Sequence, residues 1–168
     1  QGDEADRALA EATLTRLVED VSDAGAEGRR TAASALGALD STRFHRLLLP
    51  LLGDPDPTVV EEALRSARQL PGARTLVVPG LVSLLRDRRL KQHAREVLVG
   101  YGEDVVPLLA YFLQDDEEDM WVRRHIPATL SRIPSQPTVE VLTAALAAER
   151  DGFLRYKVIE ALDRVKRD

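Results

Sequence analysis

The sequence has no cysteine. Disulfides, thiolate catalysis and zinc–thiolate sites are thereby excluded, and a reducing compartment is compatible with the chain. Aromatic residues are scarce, at 4% with a single tryptophan, so Leu, Val and Ala must supply the core. No apolar run approaches the roughly 20 residues needed to cross a bilayer. The run Leu47-Leu48-Leu49, for example, is cut by Pro50. No signal-peptide pattern is present. Basic charge is in deficit, with 23 Lys and Arg against 28 Asp and Glu and a net charge of -5. That disfavours non-specific nucleic-acid binding, which draws its affinity from Lys and Arg on phosphates. There is no Gly-rich phosphate loop, no nucleophile elbow and no convincing metal cluster. The chain begins with Gln1 and not Met, so it is expected to be processed or cut from a longer protein.

What the sequence does have is a repeat. Leu36, Ala67, Leu98, Leu130 and Leu162 are spaced by 31, 31, 32 and 32 residues. The frame recurs three residues later, at Leu39, Leu70, Tyr101, Ile133 and Val165. It recurs four residues earlier, at Ala32, Ala63, Ala94, Ile126 and Val158, and four earlier again, at Gly28, Val59, Leu90, Val122 and Leu154. Offsets of four, four and three mark one face of a helix. A helix repeated at near-constant period predicts a stacked solenoid, which is a surface for binding more often than a pocket for chemistry.

Each unit reads as an A helix followed by a B helix. The expected pairs are Arg7 to Val21 with Glu27 to Leu39, and Thr42 to Leu52 with Pro57 to Leu70. Next come Thr75 to Leu85 with Arg88 to Val99, and Asp104 to Leu113 with Met120 to Ile133. Thr138 to Ala148 with Phe153 to Lys166 is the last. The repeats thus fall near 7–39, 42–70, 75–101, 104–133 and 138–166, within one domain of residues 1–168 with a continuous core. Before the first B-helix anchor stand Asp56, Asp87, Asp119 and Asp151, with Gly25 in the first repeat. A carboxylate there caps the helix and complements its dipole. One residue after the anchor come Arg29, Val60, Lys91, Arg123 and Arg155, so an Asp–Arg ladder between layers is expected. Pro50 lies deep enough in its A helix to break it, and Pro127 predicts a bend in a B helix.

The period, the two-helix unit and the segment Asp54-Pro55-Asp56-Pro57-Thr58-Val59 resemble the HEAT-repeat family, in its short bacterial HEAT-like form. The resemblance implies an all-α fold, an α-α superhelix of about five helix pairs. A narrower one covers the C-terminal half: Tyr101 to Pro107, Arg123-Arg124-His125-Ile126-Pro127, and Leu154 to Arg164. These are similar to the cytosolic HEAT region of bacterial major-facilitator or nucleotide-exchange-type transporter proteins, with Asp163 where asparagine is usual. That resemblance implies a cytoplasmic domain, tethered to the inner membrane through its parent.

The function expected is therefore a non-catalytic protein–protein interaction or scaffold module, without cofactor or metal and monomeric as an isolated domain. The alternative is a HEAT-like lyase or another small-molecule or cofactor-binding enzyme, which would need a deep pocket with converging polar groups. Some DNA glycosylases share the fold, but they need a basic groove with aromatics, against which this composition argues. A protein or peptide partner is placed on the B helices by fold analogy. The outward positions between anchors include Glu61, Arg65, Arg68, Gln92, Glu96, Arg124, Tyr156 and Glu160. Their mixed signs suit a peptide or protein better than a polyanion. Arg124 and Tyr156 are neighbours in this row, and both residue types are enriched at interface hot spots. The partner-binding candidates are therefore Arg124, Tyr156, Arg65, Gln92, Glu160 and Trp121.

Other features have plainer readings. Trp121 is a large apolar ring, more often buried than displayed. Arg123, Arg124, Arg155, Lys157, Arg164, Lys166 and Arg167 make the last B helices basic; they read as interlayer pairs or as a site for phosphate, a lipid head group or an acidic peptide. The run Asp115-Asp116-Glu117-Glu118-Asp119 reads as a solvated loop before a helix, lacking the spacing of a calcium loop. His93 and His125 occupy one repeat position in successive layers, roughly 10 Å apart, too far to share a metal.

Overall fold

The computed structural model describes residues 2–39 and 41–167. Among the described residues ten α-helices follow one another: α1 Gly2–Glu19, α2 Ala26–Ala38, α3 Leu48–Leu52, α4 Pro57–Gln69, α5 Arg74–Leu84, α6 Lys91–Gly100, α7 Val106–Gln114, α8 Met120–Leu130, α9 Gln136–Ala148 and α10 Gly152–Val165. Short 3-10 turns at Thr42–Leu47, Pro71–Ala73 and Gly102–Val105 lead into α3, α5 and α7. No strand occurs among the described residues. The fold is all-α and built from helix pairs, the α-α superhelix class. The chain divides into two compact units, Gln1–Gly80 and Leu81–Asp168.

In the first unit, α2 packs on α1 and α4, and α4 packs on α3. The α2–α4 contact is close because small residues meet there. Ser66 Oγ donates to the Ala33 carbonyl at 2.6 Å. A Cβ on Gly37 would stand 3.0 Å from the Ser66 Cα and 2.6 Å from its Oγ. In the second unit, α8 packs on α6, α7 and α10, and α9 packs on α7 and α10. The anchor positions that define the repeat are buried except Gly28, Leu39, Leu162 and Val165. Those four belong to the first and last repeats, which lack a neighbour on one side. Each fully buried Leu or Val contributes about 1.5–3 kcal/mol of hydrophobic stabilisation.

The caps follow the sequence. Asp56 accepts from the Thr58 amide at 2.8 Å, Asp119 from Trp121 at 2.8 Å and Asp151 from Leu154 at 2.7 Å. Asp87 accepts from the Arg89 and Leu90 amides, closing the turn before α6. Hydrogen bonds from Thr58 hold the Asp56 carboxyl below the usual carboxylate range. Gly25 replaces the aspartate where a Cβ would meet the Asp20 carbonyl at 2.4 Å. The helix expected over Thr42 to Leu52 is instead a 3-10 segment followed by the short α3. Pro50 has no amide to donate and its ring crowds the carbonyl four residues back, so the first half tightens. Helix α8 runs on through Pro127.

The arginines one residue past the first anchor do not form the ladder with the cap aspartates. Their main acceptors are the free carbonyls at the end of the A helix of their own repeat. Arg123 Nε donates to the Leu113 carbonyl at 3.0 Å, and Arg155 Nη1 to the Leu146 carbonyl at 2.7 Å. Arg29 Nη1 donates to the carbonyls of Asp20 and, at 2.8 Å, Ser22. Helix C-termini leave such carbonyls orphaned, and a cation there also meets the negative end of the dipole. The remaining donors reach an acid in the loop of the following repeat: Arg29 pairs with Asp54 and Arg123 with Glu149, each at 2.6 Å. The residue carrying the interlayer charge is therefore the one just after the A helix.

Candidate functional site

The caps at the starts of α8 and α10 determine where the first-turn side chains go. With Asp119 holding the Trp121 amide, the indole stands at the start of α8 and is 65% exposed. With Asp151 capping α10, Phe153 and Tyr156 lie one turn apart on that helix, 49% and 54% exposed. Three large rings on two adjoining helices are thus open to solvent in a chain with few aromatics.

Arg124 joins them. Its guanidinium carbon lies 4.7 Å from the Phe153 ring centroid and 5.5 Å from that of Trp121. It also reaches Asp151 at 3.6 Å. Its Nε is buried and has no hydrogen-bond partner among the described residues, as a guanidinium covered by rings would be. Lys157 stands 5.4 Å from the Phe153 centroid and 5.3 Å from Tyr156. Glu160 accepts from Lys157 Nζ at 2.7 Å and from the Tyr156 hydroxyl at 3.2 Å. The hydrogen bond from Lys157 keeps the Glu160 carboxyl below its ordinary range. The rings of Phe153 and Tyr156 tilt at 39° with centroids 6.4 Å apart. Cation–π contacts of this kind contribute about 0.5–1 kcal/mol each where exposed.

Of the six sequence candidates, the structure gathers Trp121, Arg124, Tyr156 and Glu160. Gln92 is exposed on α6 and bonds within that helix, to Glu96 at 3.1 Å and Arg95 at 3.5 Å. Arg65 lies on α4 in the first unit, paired with Glu62 at 2.5 Å. Trp121 is displayed, not packed as its size suggested. Phe153 is the member that the sequence reading missed. The signal was available: it stands two residues after its cap aspartate, as Trp121 does after Asp119.

A cavity of about 420 Å³ lies between the ends of α7 and α9, lined by Leu113, Asp116, Arg123, Ala145 and Glu149 among others. Its principal charges are committed to each other, since Arg123 spans the Leu113 carbonyl and the Glu149 carboxylate. The acidic loop is likewise engaged. Asp115 accepts from the Glu117 amide, Glu118 accepts from the Asp119 amide, and Asp119 pairs with Arg86 at 3.3 Å. No cluster of three His, Asp or Glu side chains suited to a metal occurs among the described residues, and none of their helices is long and apolar enough to cross a membrane.

No curated protein matches the chain. A family model of HEAT repeats matches residues 78–163, just over half of it.

Proposed function

The chain belongs to the HEAT-repeat family, and from that premise we propose that it is a non-catalytic interaction or scaffold module whose contact surface includes Trp121, Arg124, Phe153 and Tyr156. One observation carries the reading: three exposed rings and two cations are gathered at the adjoining starts of α8 and α10. Tryptophan, tyrosine and arginine are the residue types that dominate binding energy at protein interfaces. Two cations, Arg124 and Lys157, already approach the Phe153 ring, which makes it a poor platform for a stacked nucleobase and leaves the reading of a protein partner favoured. The proposal keeps the five helix pairs read from the sequence as its repeat unit, and a monomeric state. A tie to a membrane transporter-like parent rests on the sequence resemblance of residues 101–107, 123–127 and 154–164 alone. The parent sequence on either side tests it.

The experiment is direct. A partner recovered on the immobilised domain is purified and titrated against wild type and against Trp121→Ala/Tyr156→Ala. Both side chains are exposed, so the variant is expected to keep its helicity and melting temperature. Affinity is expected to fall about tenfold or more, the loss of one hot-spot contact of about 1.4 kcal/mol. Equal affinity would place the contact surface elsewhere. The enzyme alternative would put its ligand in the cavity at Arg123 and Glu149, and a small molecule protected there from solvent would favour it.

A further inference from the structure

The B helices of the second unit carry a second feature, a row of positive charge that the aromatic cluster only borders. Arg95 on α6 is half-buried. Its Nε donates to Thr129 Oγ1 on α8 at 3.1 Å and its Nη1 to Gln92 at 3.5 Å. Neither acceptor is charged, and Arg95 makes no ion pair among the described residues. Its electrostatic neighbours are cations, Arg132 in the turn just past α8 and Arg164 on α10; burial first, and then these charges, draw its guanidinium below the ordinary arginine value. His125, one turn before Thr129, lies in the field of Lys91, Arg95 and Lys157, which adds to burial in lowering its pKa.

The arrangement is register-borne. His125 and Lys157 stand one residue before the anchors Ile126 and Val158, and Arg132 and Arg164 one residue before Ile133 and Val165. In successive layers Arg132 and Arg164 therefore stack like charge on like, and Lys157 follows the His125 imidazole. Such stacking costs stability, in contrast to Arg29 and Arg123, each of which holds an acid at 2.6 Å. Two acids stand on this face: Glu96, which accepts from Gln92 on α6, and Glu160, tied to Lys157. Arg132 and Arg164 make no ion pair among the described residues. A half-buried arginine held among other cations has its donors pre-oriented and partly desolvated. Those are the conditions in which a guanidinium binds a carboxylate strongly and with two parallel hydrogen bonds.

We propose that the face shared by α6, α8 and α10, centred on Arg95, binds an acidic peptide segment of a protein partner, with one carboxylate on Arg95 and others on the Arg132–Arg164 and Lys91–Lys157 sides. The inference rests on the reading of the chain as an interaction module and names the chemistry of its partner. Three helices about 10 Å apart give a row of about 20 Å, the length of roughly six extended residues. Glu160 within the row disfavours a continuous phosphate backbone but leaves room for discrete carboxylates. The chain's net charge of -5 and the Asp115–Asp119 loop likewise oppose a long polyanion.

The probe is fluorescein-labelled hexaglutamate, followed by anisotropy at low and high salt, with oligothymidylate of matched charge as comparison. Wild type is expected to bind hexaglutamate, with affinity falling as salt rises. Arg95→Gln is expected to weaken binding about ten- to a hundredfold, the value of a charge-assisted hydrogen bond. Because it relieves repulsion, it is expected to melt no lower than wild type. Arg132→Gln/Arg164→Gln, at exposed positions, is expected to fold and to weaken binding as well. The proposal is overturned if hexaglutamate fails to bind wild type, if Arg95→Gln binds equally, or if oligothymidylate binds more tightly. The two readings fail separately. A purified partner held by wild type and Arg95→Gln alike, but lost in Trp121→Ala/Tyr156→Ala, would overturn the acidic-peptide proposal and leave the interaction module standing.

Discussion

Replacing Arg29 by Met is the sharpest test of how the repeats are held together. The Arg29 and Asp54 side chains are only 3% and 4% exposed. The guanidinium engages the carboxylate twice, at 2.6 and 3.2 Å, and also holds the carbonyls of Asp20 and Ser22. Methionine fills most of the volume but removes every donor. Asp54 then keeps only the Asp56 amide at 2.9 Å, and its charge is left buried without a counter-ion. Breaking one side of such a pair costs about 3–5 kcal/mol. A unit of 80 residues has roughly 4–12 kcal/mol in all, from about 0.05–0.15 kcal/mol per residue. The substitution should therefore remove about a quarter or more of the first unit's stability. Urea unfolding followed by far-ultraviolet circular dichroism measures it. Arg29→Met/Asp54→Asn removes the stranded charge and should recover about half or more of the loss. Arg30→Met, at the next residue, breaks only the exposed pair with Glu27 and should cost under about 0.5 kcal/mol. A cost below about 1 kcal/mol for Arg29→Met, or a double variant worse than the single, would refute the reasoning.

Three further outcomes are expected. Leu130→Ala, at a fully buried anchor, should cost about 2–5 kcal/mol, and Leu162→Ala, at the half-buried equivalent in the last repeat, distinctly less; equal losses in denaturant titration would contradict the burial pattern. Gly37→Val should force α2 away from α4, because the added Cβ meets Ser66 backbone, at about 1–3 kcal/mol; an unchanged melting temperature would show that the contact has slack. Burial, then Lys91, Arg95 and Lys157, lower the folded-state pKa of His125 below its unfolded value. The unfolded chain therefore binds the proton first, so this contribution is complete above about pH 6.5 and is lost as pH falls from there through the folded pKa. His125→Gln should flatten that part of the stability–pH curve, and an unchanged slope would assign it to other groups.

Helix positions, burial of the anchors and the capping aspartates were legible in the sequence because they are local properties. A 3.6-residue periodicity at Ala63 and Ala67, or Ile126 and Leu130, states which face is buried. An aspartate three residues ahead of Val59 or Leu154 states where the helix starts. Phe153 was legible too, had the register of Trp121 been carried one repeat further. Three things needed tertiary structure. The 3-10 entry to α3 depends on Pro50 acting on the turn before it, whereas Pro79 and Pro127 sit inside α5 and α8. The partners of Arg29, Arg123 and Arg155 lie at the far end of long, flexible side chains, and the spacing that placed them once per repeat could not say that carbonyls would win over the cap aspartates. The charged row around Arg95 is assembled from α6, α8 and α10, so no single window of sequence contains it. The chain by itself determined the helices and their buried faces, because periodicity and caps act within a few residues. Only the packing of one helix against the next decided which charges met and which rings stayed in water, because those outcomes depend on distances between residues some thirty positions apart.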